Sequence, residues 1–179
     1  MAAGGETLLE LLLDYEQRSV LHDSGAAGQR GRPGNWDGVV FRLGDHHLAC
    51  SIEAVEEILP FPQPTPVPGA REWLLGLANV RGNLVTVVDL GWYLFNARSP
   101  VTSRTRLILT RLQGRFVGLM VDEVFGQRHF HSDDLDTETG DQETLDSLVQ
   151  GCFPQGDTRW GVFRLDELMR RPSFLDGAA

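Results

Sequence analysis

Along most of this chain apolar residues recur at alternate positions, and glycines, prolines and acidic pairs cut them into short runs. "VVFRL" alternates Val39, Phe41 and Leu43, Gly44-Asp45 offers a turn, and "HLACSI" returns, which is the pattern of a half-buried hairpin. "TRLILT" (105–110) and "RFVGLMV" (115–121) repeat it around Gln113-Gly114. The first hairpin runs into "VEEI", Val55 to Ile58, and the second into "VDEV", Val121 to Val124. Two β-units of one design, joined in tandem, account for this better than one large sheet.

Between the hairpins lie prolines at 60, 62, 64, 66 and 68, which exclude a helix or a central strand and favour a stiff, extended crossing. Trp73 to Ala78 is expected to form one helical turn. Leu84 to Leu90 reads as a buried strand by its β-branched content. "RWGVF" is a further strand, and "LDELMRR" a short helix whose basic residues suit the carboxyl end of the macrodipole. Asp133 to Asp146, acidic and nearly free of apolar side chains, is expected to be solvated. At the other end, Thr7-x-x-Glu10 is a capping box, with Leu8, Leu12 and Tyr15 at helical spacing. Residues 1–35 are therefore expected to be an amphipathic helix (Thr7 to about Leu21) and a glycine-rich linker (His22 to Asn35), and 36–179 a separate domain.

Composition narrows the function. The chain has 179 residues, 41% hydrophobic and 23% charged, which suits a soluble globular domain with a real core. All 16 basic residues are arginine, the net charge is −9 and no basic run is present, so nucleic acid is an unfavourable partner. Cys50 and Cys152 form no CxxC pair and read as reduced thiols of a cytoplasmic protein. The amino terminus lacks a signal peptide's basic region, and no apolar run approaches the roughly 20 residues needed to span a bilayer.

Candidate chemistry is sparse. No phosphate loop, GxSxG elbow, HExxH or paired CxxC occurs. His129-x-His131, with Asp133 and Asp134, places two imidazoles on one strand face but lacks a further ligand. Glu56-Glu57 and Asp122-Glu123 could supply the two carboxylates of a glycosidase, which stand roughly 5–9 Å apart across a cleft. Adjacent strand residues point to opposite faces, however, so solvated strand ends explain them better. Cys50 sits in an apolar strand, a setting for inert packing. No enzyme, cofactor or metal is expected.

One segment does not fit a simple core. "WLLGLANVRGNLVTVVDL", Trp73 to Leu90, is apolar except where Arg81-Gly82 interrupts it. An arginine there either pairs with an acid such as Asp89 or emerges beside a groove, and glycine permits a tight turn.

With that segment, "VVFRLGDHHLACSIEAVEEI" and "RFVGLMVDEV" closely resemble the CheW family of chemosensory adaptors over residues 36 to 170. The Gly-x-x-Asn-x-Arg-Gly pattern from Gly76, ending in Asp89-Leu90, carries the resemblance. The amino-terminal appendage, "VDEVFGQRHF" and the "FLDGAA" ending look most like adaptors of type IV pilus twitching motility. The resemblance implies a mainly β, CheW-like fold of two small SH3-like barrels around a shared core. It implies a non-enzymatic scaffold coupling the cytoplasmic tip of a methyl-accepting receptor to the regulatory domain of a CheA-type histidine kinase. It places Val55, Glu57 and Ile58 on partner-binding surface, Leu75, Gly76, Asn79, Arg81 and Gly82 beside the receptor groove, and Val121 and Val124 on the second barrel's equivalent element. Gln127 stands where an apolar residue is usual, and Leu75 where some relatives carry a basic one. A structural component of pilus assembly and a small hydrolase are the alternative readings.

Overall fold

The computed structural model describes residues 34–137, 145 and 147–178. The helix expected over Thr7–Leu21 and nearly all of the following linker lie outside them. Strands β1 (Asn35–Leu43), β2 (His46–Ser51), β8 (Glu123–His131), β9 (Val149–Gln155) and β10 (Thr158–Phe163) form one sheet, in the order β8-β1-β2-β10-β9. Strands β3 (Glu57–Pro60), β4 (Leu74–Val80), β5 (Asn83–Asp89), β6 (Arg106–Leu112) and β7 (Arg115–Val121) form the other, in the order β3-β6-β7-β5-β4. The fold is mainly β with two units, as expected.

The topology shows how the chain divides between them. Unit two is contiguous, whereas unit one is assembled from strands before and after it. Reading β8-β9-β10-β1-β2 against β3-β4-β5-β6-β7 superimposes the two orders. Each unit then has two antiparallel hairpins joined by one parallel pair, β10 with β2 and β5 with β7. A short helix follows the same strand in each, α1 (Leu90–Phe95) after β5 and α2 (Leu165–Arg170) after β10. Even the closures match: Thr65 bridges Leu77 in unit two, and Asp136 bridges Cys152 in unit one.

Hydrophobic alternation explains this layering. Val40, Ala49, Phe130, Phe153, Trp160 and Val162 fill the interior of unit one. Ala78, Val85, Val87, Leu107, Leu109 and Met120 fill that of unit two. The intervening positions, among them Val39, Phe41, Leu43, Ile108, Val117, Leu119 and Val121, form a third cluster shared by both. A strand such as β7 is thus buried on both faces, and for that reason its text is apolar almost throughout. Leu165, Leu168 and Phe174 join the shared cluster. Helix α3 (Pro172–Ala178) brings Phe174 flat against Trp73, with ring centroids 5.7 Å apart.

Two local expectations change. Trp73–Ala78 is not helical: Leu74–Val80 is strand β4, paired with β5 through a register shift at Leu74/Gly76. Gly76 has φ +137°, outside the helical region, and a Cβ there would lie 2.0 Å from the Thr65 carbonyl oxygen. Sheet pairing and this close approach override the local helical text. The acidic stretch is also less uniformly solvated than expected. Ser132–Asp134 forms a 3-10 turn, Asp136 bridges β9, and Leu145 is buried in the shared core.

Candidate functional site

Strands β4 and β5 meet in a two-residue turn, Arg81-Gly82, with φ of +51° and +83°. Positive φ at both central residues is the type I′ pattern, which suits the twist of a hairpin and favours Asn-Gly. The Asn79 side-chain oxygen accepts a hydrogen bond from the Gly82 N–H at 2.9 Å, holding the turn closed. At the other end of β5, Asp89 is buried and caps α1: its carboxylate accepts from the N–H groups of Trp92 (3.0 Å) and Ser99 (3.1 Å). The distinctive motif from Gly76 to Leu90 is therefore largely architectural. Gly76 admits Thr65, Asn79 and Gly82 build the turn, and Asp89 starts the helix.

Arg81 is the exception. It does not pair with Asp89. Its side chain is 72% exposed and grips Glu57 through two contacts, Nη2 to Oε1 at 2.7 Å and Nη1 to Oε2 at 3.0 Å. Glu57 opens β3, one edge of the second sheet, and Arg81 follows β4, the other edge. The pair ties the two edges across the barrel's seam. A left-handed conformation costs a non-glycine residue roughly 1–2 kcal/mol, and an exposed ion pair returns only about 0.2–1 kcal/mol. Stability alone does not favour arginine here over the usual asparagine.

The remaining predicted residues fall into three groups. Ile58, next to Glu57, is 36% exposed and presents apolar surface. Val55 and Val124 are half-buried against the shared core, and half-buried Leu75 packs on the interior of unit two. Gly76 and Val121 are buried and present no side chain to a partner. The resemblance puts Gly76 beside the receptor groove and Val121 on the second barrel's equivalent element; in the structure Gly76 lies under Thr65 and Val121 points into the shared cluster, so both act through packing. Conversely, Leu84 lies two residues beyond the turn and is 66% exposed, although it begins a segment expected to be buried. Its alternate-position neighbours Thr86 and Val88 run progressively under the shared core, and Leu84 overhangs the end. The turn two residues before it is the signal that could have marked it as exposed.

The acidic pairs occupy equivalent places in the two units. Glu56 meets Arg111 at 2.9 Å, and Asp122 meets Arg42 at 3.3 Å. Asp122 also accepts from the Gly44 N–H at 2.7 Å, while its other oxygen is buried with no hydrogen-bond partner. All four carboxylates meet arginine, so they do not form a free acid and base across a cleft. His129 is engaged by Asp37. Burial pushes the Cys50 thiol up to about 12, so it stays protonated and unreactive at neutral pH.

A model of the CheW-like domain matches residues 37–173. The chain belongs to the CheW-like family. It is 33% identical to protein PilI of Pseudomonas aeruginosa over 174 residues, 97% of each chain. It is 29% identical to chemotaxis protein CheW of Bacillus subtilis over 136 residues, 75% of this chain and 87% of that one. In fold it resembles the crystal structure of scaffolding protein TtCheW from Thermoanaerobacter tengcongensis, with a TM-score of 0.68 and 22% identity over 82% of this chain and 94% of that one. This CheW-like protein is a non-enzymatic scaffold of chemosensory signalling. Among its described residues no helix is long and apolar enough to cross a membrane.

Proposed function

We propose that this CheW-like scaffold couples a methyl-accepting receptor to a CheA-type histidine kinase, in the pathway that controls type IV pilus twitching motility. The observation that carries the reading is Arg81. It is held at positive φ in a turn that prefers asparagine, with its guanidinium exposed and preorganised by Glu57. Backbone strain of this kind is retained where a side chain serves a purpose other than stability. Arg81 and Glu57 form the polar centre, and Ile58 with Leu84 supplies exposed apolar area nearby in the chain. Such a combination suits protein docking, in which apolar anchors give affinity and arginine is a frequent hot spot. The similarity to PilI over nearly the whole chain supports the twitching-motility branch. The protein would work in the cytoplasm at membrane-bound receptor arrays, and a receptor shift would reach the kinase only through contacts that differ between the kinase's two states.

Capture of the purified kinase regulatory domain and of a receptor cytoplasmic fragment tests this. Arg81→Ala is expected to leave stability within about 1 kcal/mol and to weaken capture of at least one partner by about 1–3 kcal/mol. Capture of neither partner by the wild-type protein would exclude the coupling role.

A further inference from the structure

Phe125 is a large exposed side chain that the docking site above does not use. It is 43% exposed on β8, and its contacts belong to unit one. Its ring stacks near His47 (centroids 6.0 Å apart, 21° between planes) and meets Trp160 edge-on at 5.7 Å. His47 and Trp160 also meet edge-on, at 5.3 Å. The three rings form one aromatic cluster, in which Phe125 remains 43% exposed.

Cations lie near that cluster. Arg128 lies over Trp160, with its guanidinium carbon 5.5 Å from the ring centroid, and donates to the Gln155 side chain rather than to a carboxylate. Glu123 lies two positions before Phe125 on the same strand. It is shared by Arg104 at 3.5 Å and Arg42 at 3.8 Å. These are long contacts: in unit two the equivalent Glu57 has an arginine of its own at 2.7 Å. Arg104, with a 71% exposed side chain, is thus only loosely engaged. Among the described residues Arg128 has no carboxylate partner and Arg104 has only a long one.

We propose that this face of unit one is a second docking surface, taking an acidic protein segment that carries an aromatic side chain. The partner's ring would cover Phe125, and its carboxylates would take Arg128 and Arg104, replacing loose contacts with close charge-assisted ones. A net charge of −9 opposes long-range attraction to a membrane surface or nucleic acid, which leaves a short acidic protein segment as the favoured occupant.

The test uses the full-length protein and a fluorescein-labelled probe, a ten-residue Glu/Asp peptide with one central Phe, beside versions with Ala for Phe and with Lys for the acids. Anisotropy titration is expected to show saturable binding of the first peptide, at least tenfold weaker binding of the Ala peptide, and none of the Lys peptide. Phe125→Ser and, separately, Arg128→Glu should each weaken the first peptide at least fivefold, with thermal melts recorded for both. Arg81→Ala should not change it, which keeps this surface distinct from the one proposed for kinase and receptor. Equal binding of the Phe and Ala peptides, no binding at all, or affinity unchanged by Arg128→Glu in a folded protein would each overturn the proposal.

Discussion

The two β-units share a strand order, a parallel pair and a following helix, yet they finish their hairpins with different chemistry. Unit two closes both with an Xaa-Gly turn, Arg81-Gly82 and Gln113-Gly114, in which both central residues have positive φ. Unit one uses Gly-Asp in both, Gly44-Asp45 and Gly156-Asp157, and only the glycine does so. A Gly-first turn places the permissive residue where the backbone demands it. An Arg-first turn places a long side chain there instead. The acidic pairs diverge as well. In unit two each carboxylate has its own close arginine, while in unit one Arg42 divides itself between Asp122 and Glu123. One architecture is thus used once with a saturated polar seam and once with an under-paired, aromatic-rich face. The shared strand plan fixes the scaffold, and the turns and strand ends give each unit its surface.

The largest test of this contrast is glycine to alanine at two positions. Gly76→Ala drives a Cβ into the Thr65 backbone and should cost about 3 kcal/mol or more in a denaturant melt. Gly156 has positive φ but open space around it, so Gly156→Ala should cost only about 1–2 kcal/mol, the left-handed penalty. Equal costs would mean that the Thr65 approach does not constrain the fold.

Next come the equivalent acids. Asp122→Ala removes a buried acceptor from Gly44 and Arg42 and should destabilise by about 1.5–3 kcal/mol. Glu56→Ala removes only an exposed pair and should cost about 0.2–1 kcal/mol. A reversed order would place the structural staple in the other unit.

Arg81→Asn sharpens the reading of the turn. Asparagine suits the left-handed position and arginine does not, so stability should stay level or rise by up to about 1 kcal/mol while partner capture falls. A stability loss above about 1 kcal/mol would make the Glu57 pair the reason for arginine.

The smallest expected effect is removal of residues 1–35. If 36–179 is a domain of its own, the melting transition should be nearly unmoved. A molten or insoluble product would show that the appendage belongs to the core.

The hairpins 39–51 and 105–121 were legible from alternation and turn glycines, because those are local properties. The nested chain order was not: it depends on the pairing of β2 with β10, which no neighbouring residues encode. The strand character of β4 is not legible for a related reason, since it comes from β5 and from Thr65 rather than from its own text. At the candidate site, Arg81 stood out as a break in an apolar run. Its partner Glu57 lies far off in sequence, and charge alone could not choose between Glu57 and Asp89. Val121 entered through the resemblance alone, and its burial in the shared cluster depends on packing between distant strands that no local pattern encodes.

The nesting of one unit inside the other also dictates an order of events at the ribosome. Unit two can close as soon as its own strands have emerged. The β1–β2 hairpin cannot, because Leu48 and Ala49 find their partners only when Gly161 and Val162 arrive. At roughly 5–20 residues per second that interval is on the order of ten seconds. Throughout it, Val39, Val40, Phe41 and Leu43 form a nascent hairpin with apolar side chains on both faces and an unpaired edge. The earliest of the described strands are thus among the last to be sheltered, and the aggregation hazard of biosynthesis is concentrated in them.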